Sequence, residues 1–88
     1  MANHKSALKR ERQSRARNLR NRPIISLMRT RMRQLRESVE EGKSQEDIQS
    51  KLVSAVGQLN RTASKGLIPK KRASRMISRL NKMVNRAS

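Results

Sequence analysis

Few side chains of this 88-residue sequence could act as catalysts or metal ligands. His4 is the only imidazole and there is no cysteine, so neither a nucleophile with its general base nor a histidine and cysteine metal cluster can be assembled. The carboxylates Glu40, Glu41, Glu46 and Asp47 are close in sequence, but they flank two predicted helix termini, where acids solvate a turn or interact with a helix dipole. We therefore predict that the protein is not an enzyme and needs no cofactor, metal or small-molecule substrate.

The basic residues indicate a different chemistry. Lys and Arg number 23 against 6 acids, for a formal charge of +17, and Phe, Trp and Tyr are all absent. Such unbalanced charge on a small chain opposes compaction and favours a polyanionic partner. Without aromatic rings the chain cannot stack bases as many RNA-binding sheets do, but Arg guanidinium groups bind phosphates bidentately and stack on exposed bases. We predict recognition of RNA phosphates and shape by helices.

The charge is divided into three blocks along the chain. Residues 1–36 hold twelve basic residues and one acid (+11), residues 37–60 two basic residues and five acids (−3), and residues 61–88 nine basic residues and no acid (+9). A disordered basic tail would not need this segregation, whereas a folded protein with basic faces and one acidic turn would show it. We predict two separated basic surfaces, with the acids confined near one turn.

Hydrophobic periodicity predicts helices and no strands. Helical spacing of three and four residues connects three apolar stripes. The stripes are Ile24, Met28, Met32, Leu35 and Val39, widened by Ile25 and Leu27; then Ile48, Leu52, Ala55, Val56, Leu59 and Ala63; then Ala73, Met76, Ile77, Leu80, Met83, Val84 and Ala87. Because the connections are short, neighbouring helices must run antiparallel. The sequence therefore predicts an all-α, single-domain antiparallel three-helix bundle over residues 1–88.

Capping residues set the predicted limits of the helices. We expect the packed part of the first helix over residues 23–41, the second over 44–65 and the third over 69–87. Ser44 is a suitable N-cap for the second helix, and Gly66 can close it in the left-handed conformation. Pro69 is acceptable in the first turn of the third helix.

Residues 1–22 differ from the rest of the chain. Basic residues surround their helical circumference, so this segment has almost nothing to bury. Its residues are nevertheless good helix formers, and we expect it to extend the first helix as a basic RNA-inserted segment that gains helix when phosphates neutralise its charge. Pro23 removes one helical hydrogen bond and biases Arg22 away from helical angles, so a kink or a break is expected there.

Five short segments, in this order and spacing, closely resemble the bacterial small-subunit ribosomal protein S20 family. They are MANHKSA (1–7), RNLRNR (17–22), RT (29–30), ASKGLI (63–68) and SRL (78–80), and the resemblance covers essentially the whole chain. It implies a cytoplasmic protein that binds small-subunit (16S) ribosomal RNA directly. It further implies a protein that supports subunit assembly, is monomeric within the ribosome and contacts other ribosomal proteins only peripherally.

The resemblance and the charge pattern together give the predicted RNA-binding residues. Carried over by position from the family are Asn3, Lys5, Ser6, Lys9, Arg10, Arg15, Arg17, Arg20, Asn21, Arg22, Ser64, Lys65 and Gly66. The basic blocks add Arg12, Arg29, Lys70, Lys71, Arg72 and Arg75, the last four around the first turn of the third helix, where free backbone N–H groups also face outward. Pro23 and Pro69 depart from the family pattern, in which Ala and His respectively are typical, and neither changes the basic inventory.

Other functions would share parts of this pattern. A nucleoid-type DNA-compacting protein would show the same charge, and a basic-region zipper would also place an Arg-rich segment before an apolar stripe, although this stripe spans only about two heptads. A cationic membrane-active helix would need a broad apolar face with Trp or Phe at the interface. No run of about 18 apolar residues and no secretory signal is present, so we expect a soluble protein without membrane contact.

Overall fold

The computed structural model describes the backbone from Ala2 to Ala87 and the side chains of residues 7–87. It consists of three helices: α1 (Ala2–Glu40), α2 (Gln45–Ser64) and α3 (Lys70–Ala87). No strand occurs in this range. The all-α fold predicted from the periodicity is confirmed.

The middle helix α2 holds the bundle together. It packs against both α1 and α3, whereas α1 and α3 contact each other only weakly. The core consists of Met28, Met32, Leu35, Ile48, Ala55, Leu59, Ala63, Ile68, Ala73, Leu80 and Val84. With no aromatic ring available, the largest fully buried side chains include Leu35 and Leu59, which are both 0% exposed. Burial of these aliphatic groups is the main force that keeps the three helices together.

Helix α1 is much longer than the bundle. Its 39 residues span about 58 Å at a rise of 1.5 Å per residue, which accounts for most of the 63 Å length of the molecule. Its side chains from Ala7 to Arg20 are all exposed, and burial begins only at Asn21. Residues 7–22, hereafter the arm, therefore project from the bundle as a helix without a core of their own.

The predicted break at Pro23 is not present, because α1 continues through this residue. Pro23 has no N–H to donate to the carbonyl of Leu19, four residues earlier. Leu19 is 73% exposed and Pro23 is also exposed, so water can solvate the freed carbonyl. A proline at this position therefore leaves no buried polar group unpaired, which reduces its cost to the helix.

Helices α1 and α2 end in the same kind of glycine-dependent cap. Gly42 (φ +67) and Gly66 (φ +76) are left-handed, as a helix stop requires. After α2, the Gly66 N–H donates to the carbonyl of Ala63 at 2.9 Å and the Leu67 N–H donates to the carbonyl of Thr62 at 3.1 Å. These two bonds form a Schellman motif, which satisfies carbonyl groups left free at the helix end.

The start of each later helix is also set by local chemistry. The Oγ of Ser44 accepts a hydrogen bond from the N–H of Asp47 at 3.2 Å, which confirms the predicted N-cap. Pro69 precedes α3 by one residue and its carbonyl accepts the N–H of Ala73 at 3.1 Å, so it caps the helix instead of occupying its first turn. Among the described residues, no helix is long and apolar enough to cross a membrane.

Candidate nucleic-acid interface

The arm presents cations on all sides. Seven of its basic side chains are exposed: Lys9, Arg10, Arg12, Arg15, Arg17, Arg20 and Arg22. Within the described part of the chain, only Arg15 among them is paired with a carboxylate, that of Glu11 at 2.6 Å, and both groups are exposed. Ion pairs of this kind contribute little in water, so they do not compete effectively with phosphate contacts. Nearly the whole charge of the arm is available to a ligand.

Three predicted site residues precede the arm. Asn3, Lys5 and Ser6 belong to the backbone of α1, but their side chains lie outside the described residues.

The base of the arm forms a shallow groove. Arg22 and Arg29 line it together with Pro23, Ile25 and Ser26, around a volume of about 590 Å³. Because seven residues make almost two full helical turns, Arg22 and Arg29 extend from the same side of α1. Two guanidinium groups on either side of a shallow groove can hold neighbouring phosphates of one backbone.

The second predicted surface surrounds the turn between α2 and α3. Ser64, Lys65 and Gly66 are exposed there, as are the four cations Lys70, Lys71, Arg72 and Arg75 at the start of α3. The groove that Lys70, Lys71, Ser74 and Arg75 line has a volume of about 560 Å³. Every predicted residue of this surface is therefore accessible.

The first turn of α3 carries an electrostatic conflict. It contains no acid, although the N-terminal end of a helix is partially positive and favours negative charge. Lys70, Lys71 and Arg72 add three positive charges at this end instead. A bound phosphate would accept hydrogen bonds from the free N–H groups and neutralise these cations, so the local charge favours an anion here.

The structure corrects the prediction of two separated basic surfaces. Arg31 of α1 donates a hydrogen bond to the Oγ of Ser54 of α2, so these two residues lie at about the same level of the antiparallel pair. Asn21 is ten residues before Arg31 in α1, and Ser64 is ten residues after Ser54 in α2. Ten residues are about 15 Å in each helix, so Asn21 and Ser64 lie at about the same level. The turn between α2 and α3 is therefore beside the base of the arm, and the two basic surfaces meet at one end of the bundle.

Three further cations of α3 were outside the predicted set. Arg79, Lys82 and Arg86 are exposed, and they line a groove of about 430 Å³ with Val39, Met83 and Ala87. The signal that could have found them is the spacing of Arg72, Arg75, Arg79, Lys82 and Arg86 by three and four residues, which places all five on one helical face.

Acidic side chains do not form a competing site. In the described range, no group of three or more His, Cys, Asp or Glu residues could hold a metal ion. The carboxylates of Glu37, Glu41 and Asp47, around the turn between α1 and α2, each lie within 4 Å of a nearby Arg or Lys.

Comparisons with known proteins give one consistent family. The sequence pattern of the family described as Ribosomal protein S20 matches residues 2–85. "Small ribosomal subunit protein bS20" of Syntrophotalea carbinolica is 49% identical over 85 residues, covering 97% of each chain. The protein of the same name from Desulfotalea psychrophila is 48% identical over 97% of this chain and 94% of its own, and that of Geotalea daltonii is 44% identical over the full length of both. This chain belongs to the ribosomal protein S20 family.

Proposed function

We propose that this protein is a structural, non-enzymatic component of the small ribosomal subunit in the cytoplasm, where it binds small-subunit ribosomal RNA directly and supports subunit assembly. The observation that carries the proposal is the arm. Its seven cations are exposed and surround the helix, and the helix has no apolar face to bury. Phosphates around a helix of this kind neutralise cations that otherwise repel one another, and so stabilise it. Membership in a small-subunit ribosomal protein family supports ribosomal RNA as that polyanion.

The mode of binding follows from the side chains available. Arg and Lys of the arm contact phosphates of RNA segments on several sides, and guanidinium groups supply paired hydrogen bonds in fixed geometry. The first turn of α3 adds a phosphate site at the base of the arm. With no aromatic side chain in the sequence, discrimination between RNAs rests on the shape of the phosphate backbone. The protein acts as a single chain, and its contacts with other ribosomal proteins are peripheral.

The bundle itself argues against the basic-region zipper. A zipper would leave the apolar stripe of its helix free to pair with a second copy of the chain. Met28, Met32 and Leu35 are instead 4%, 9% and 0% exposed, because they belong to the core that the helices of one chain form together. The stripe after the basic segment is already used within the monomer.

A binding experiment separates ribosomal RNA from generic polyanions. The protein is titrated with a folded small-subunit ribosomal RNA fragment and with an equal mass of duplex DNA, over salt concentrations from about 50 to about 200 mM. Contacts with six to ten phosphates predict that affinity falls by about a thousandfold to a hundred-thousandfold over this range. Preference for the ribosomal RNA at every salt concentration supports the proposal, and equal affinity for the two ligands contradicts it.

A matched pair of variants tests the arm. Arg17→Gln/Arg20→Gln/Arg22→Gln removes three exposed charges from it, and Arg33→Gln/Lys43→Gln/Lys51→Gln removes three charges that already face carboxylates. The arm variant is expected to lose about two to three units of the salt slope, whereas the control variant changes it by less than one. Equal losses in both variants would mean that net charge, and not the arm, determines binding.

A further inference from the structure

Helix α3 carries a basic face along its whole length. Arg72, Arg75, Arg79, Lys82 and Arg86 follow one another at steps of three and four residues. They lie on the side of α3 roughly opposite the buried Ala73, Leu80 and Val84. The stripe is about 21 Å long, with one cation for about every 5 Å of helix axis. Only its beginning, at Arg72 and Arg75, belongs to the interface beside the arm.

The far half of this stripe borders a groove between two helices. Arg79, Lys82 and Arg86 line it together with Val39, Met83 and Ala87, around a volume of about 430 Å³. Val39 is 17 residues after Arg22 in α1, a distance of about 26 Å along the helix axis. This groove is thus at the end of the bundle opposite the arm, too far away for its cations to share the phosphates that Arg22 contacts.

Neighbouring acids leave these cations unpaired. The acidic turn between α1 and α2 is at the same end of the bundle, since Val39 close to this turn lines the groove with Arg86. Within the described residues, the acids in and beside this turn nevertheless pair with Arg33, Lys43 and Lys51. In the same described range, none of the three α3 cations has a carboxylate oxygen within 4 Å. A face that served only to solvate the helix would gain from such pairing.

We propose that Arg79, Lys82 and Arg86 form a second RNA-backbone site, separate from the contact made by the arm. The proposal rests on the proposed function, because it assigns a further surface to the same ligand. Charge complementarity favours phosphates, and the continuity of the stripe with Arg72 and Arg75 favours RNA over an acidic protein. The protein then holds ribosomal RNA at both ends of its bundle, with α3 as the connection between the two sites.

The test compares two variants of the full-length protein that carry the same net charge. Arg79→Gln/Lys82→Gln/Arg86→Gln changes only exposed residues, and Arg33→Gln/Lys43→Gln/Lys51→Gln is its control. Each is titrated with the small-subunit ribosomal RNA fragment over salt, and protected nucleotides are mapped by hydroxyl-radical footprinting at saturation. Thermal unfolding followed by circular dichroism verifies that both variants retain the bundle.

The expected result is specific to the α3 variant. Loss of two to three phosphate contacts reduces the drop in affinity between about 50 and about 200 mM salt by roughly 10- to 40-fold. One set of protected nucleotides disappears, and the set lost in the arm variant stays protected. The charge-preserving variant Arg79→Lys/Arg86→Lys retains both sets if the site binds phosphates.

An unchanged slope and an unchanged footprint in the α3 variant would overturn the second site, whether the face is then solvated or contacts a protein. That outcome is distinguishable from failure of the proposed function, in which the unmodified protein itself shows no preference for ribosomal RNA over duplex DNA.

Discussion

Replacement of Pro23 by Ala tests whether the arm folds with the bundle or with the RNA. A proline inside a helix costs about 3 kcal/mol relative to alanine. The penalty here includes the missing hydrogen bond to the carbonyl of Leu19 and the crowding of that carbonyl by the proline ring. If residues before Pro23 unravel, Pro23 becomes part of the first turn of a shorter helix, where it is acceptable. The bundle can therefore avoid the penalty, but a continuous α1 cannot.

The arm has no tertiary contacts to offset this penalty, since all its side chains from Ala7 to Arg20 are exposed. We expect the free protein in solution to lose helix in the arm and to regain it when RNA binds. The penalty then appears in the binding reaction, and Pro23→Ala is expected to strengthen RNA binding by up to about a hundredfold, the equivalent of about 3 kcal/mol. The midpoint of bundle unfolding should hardly change.

The assay combines three measurements on the wild-type protein, Pro23→Ala and the control Gln13→Ala, which exchanges two good helix formers at an exposed position of the arm. Circular dichroism of the free proteins at low salt should show more helix for Pro23→Ala than for the other two. Hydrogen exchange should show little protection of arm amides in the free wild-type protein and strong protection in its RNA complex. RNA titration gives the gain in affinity.

The opposite result would refute this reasoning. If the arm belonged to the cooperative unit of the free protein, Pro23→Ala would raise the unfolding midpoint by about 12 to 24 °C and leave RNA affinity unchanged. Helicity of the free wild-type protein that already spanned nearly the entire chain would have the same meaning.

Five further substitutions test the bundle, and the effect of each is measured by thermal and denaturant unfolding. Leu59→Ala removes a side chain that is 0% exposed and should destabilise the protein by about 3 to 5 kcal/mol, whereas Val53→Ala, at a position 71% exposed, should stay within about 0.5 kcal/mol. Gly66→Ala should lower stability by about 1 to 2 kcal/mol because its φ of +76° is left-handed. Gly57→Ala should raise stability by about 1 kcal/mol, because the added Cβ meets only the Arg61 guanidinium, at 3.6 Å. Ser44→Ala should cost about 1 kcal/mol through loss of the N-cap bond to Asp47, and an unchanged midpoint would contradict the capping role.

Local chemistry explains why the helices could be predicted from the sequence. Apolar spacing, the N-cap at Ser44 and the left-handed Gly42 and Gly66 act within a few residues, so each signal is visible in the sequence. Leu27 was wrongly assigned to the core stripe and is 41% exposed. It is one position before Met28, and a rotation of about 100° per residue turns it toward solvent.

Features that depend on packing were less visible. Gln58 and Thr62 are 5% and 0% exposed, although both are polar. The Thr62 hydroxyl donates to the Gln58 carbonyl at 2.7 Å, so its burial leaves no unpaired donor. An apolar pattern does not identify Thr62, because the hydrogen bond that permits its burial is made within its own helix. Position in the middle of the bundle, between α1 and α3, determines that this face of α2 is buried.

The same limit applies to the interface. Charge blocks in the sequence predicted the arm and the α2–α3 turn as basic surfaces. Their relative position depends on how α1 and α2 pack, which only the structure shows, with Arg31 in contact with Ser54. An antiparallel α2 that spans the length of the bundle returns the chain to the base of the arm. The acids of residues 37–47 are carried to the opposite end by the same geometry. The arm carries seven cations and one acid, whereas acids offset the cations at the other end of the 63 Å molecule. The molecule is therefore most positive at the arm, and the field of an RNA turns the arm toward the phosphates before contact. The association rate with RNA should therefore be high at low salt and fall steeply as salt rises. The variant Glu40→Gln/Glu46→Gln removes acids only from the end opposite the arm. It should weaken the orienting effect without removing any phosphate contact.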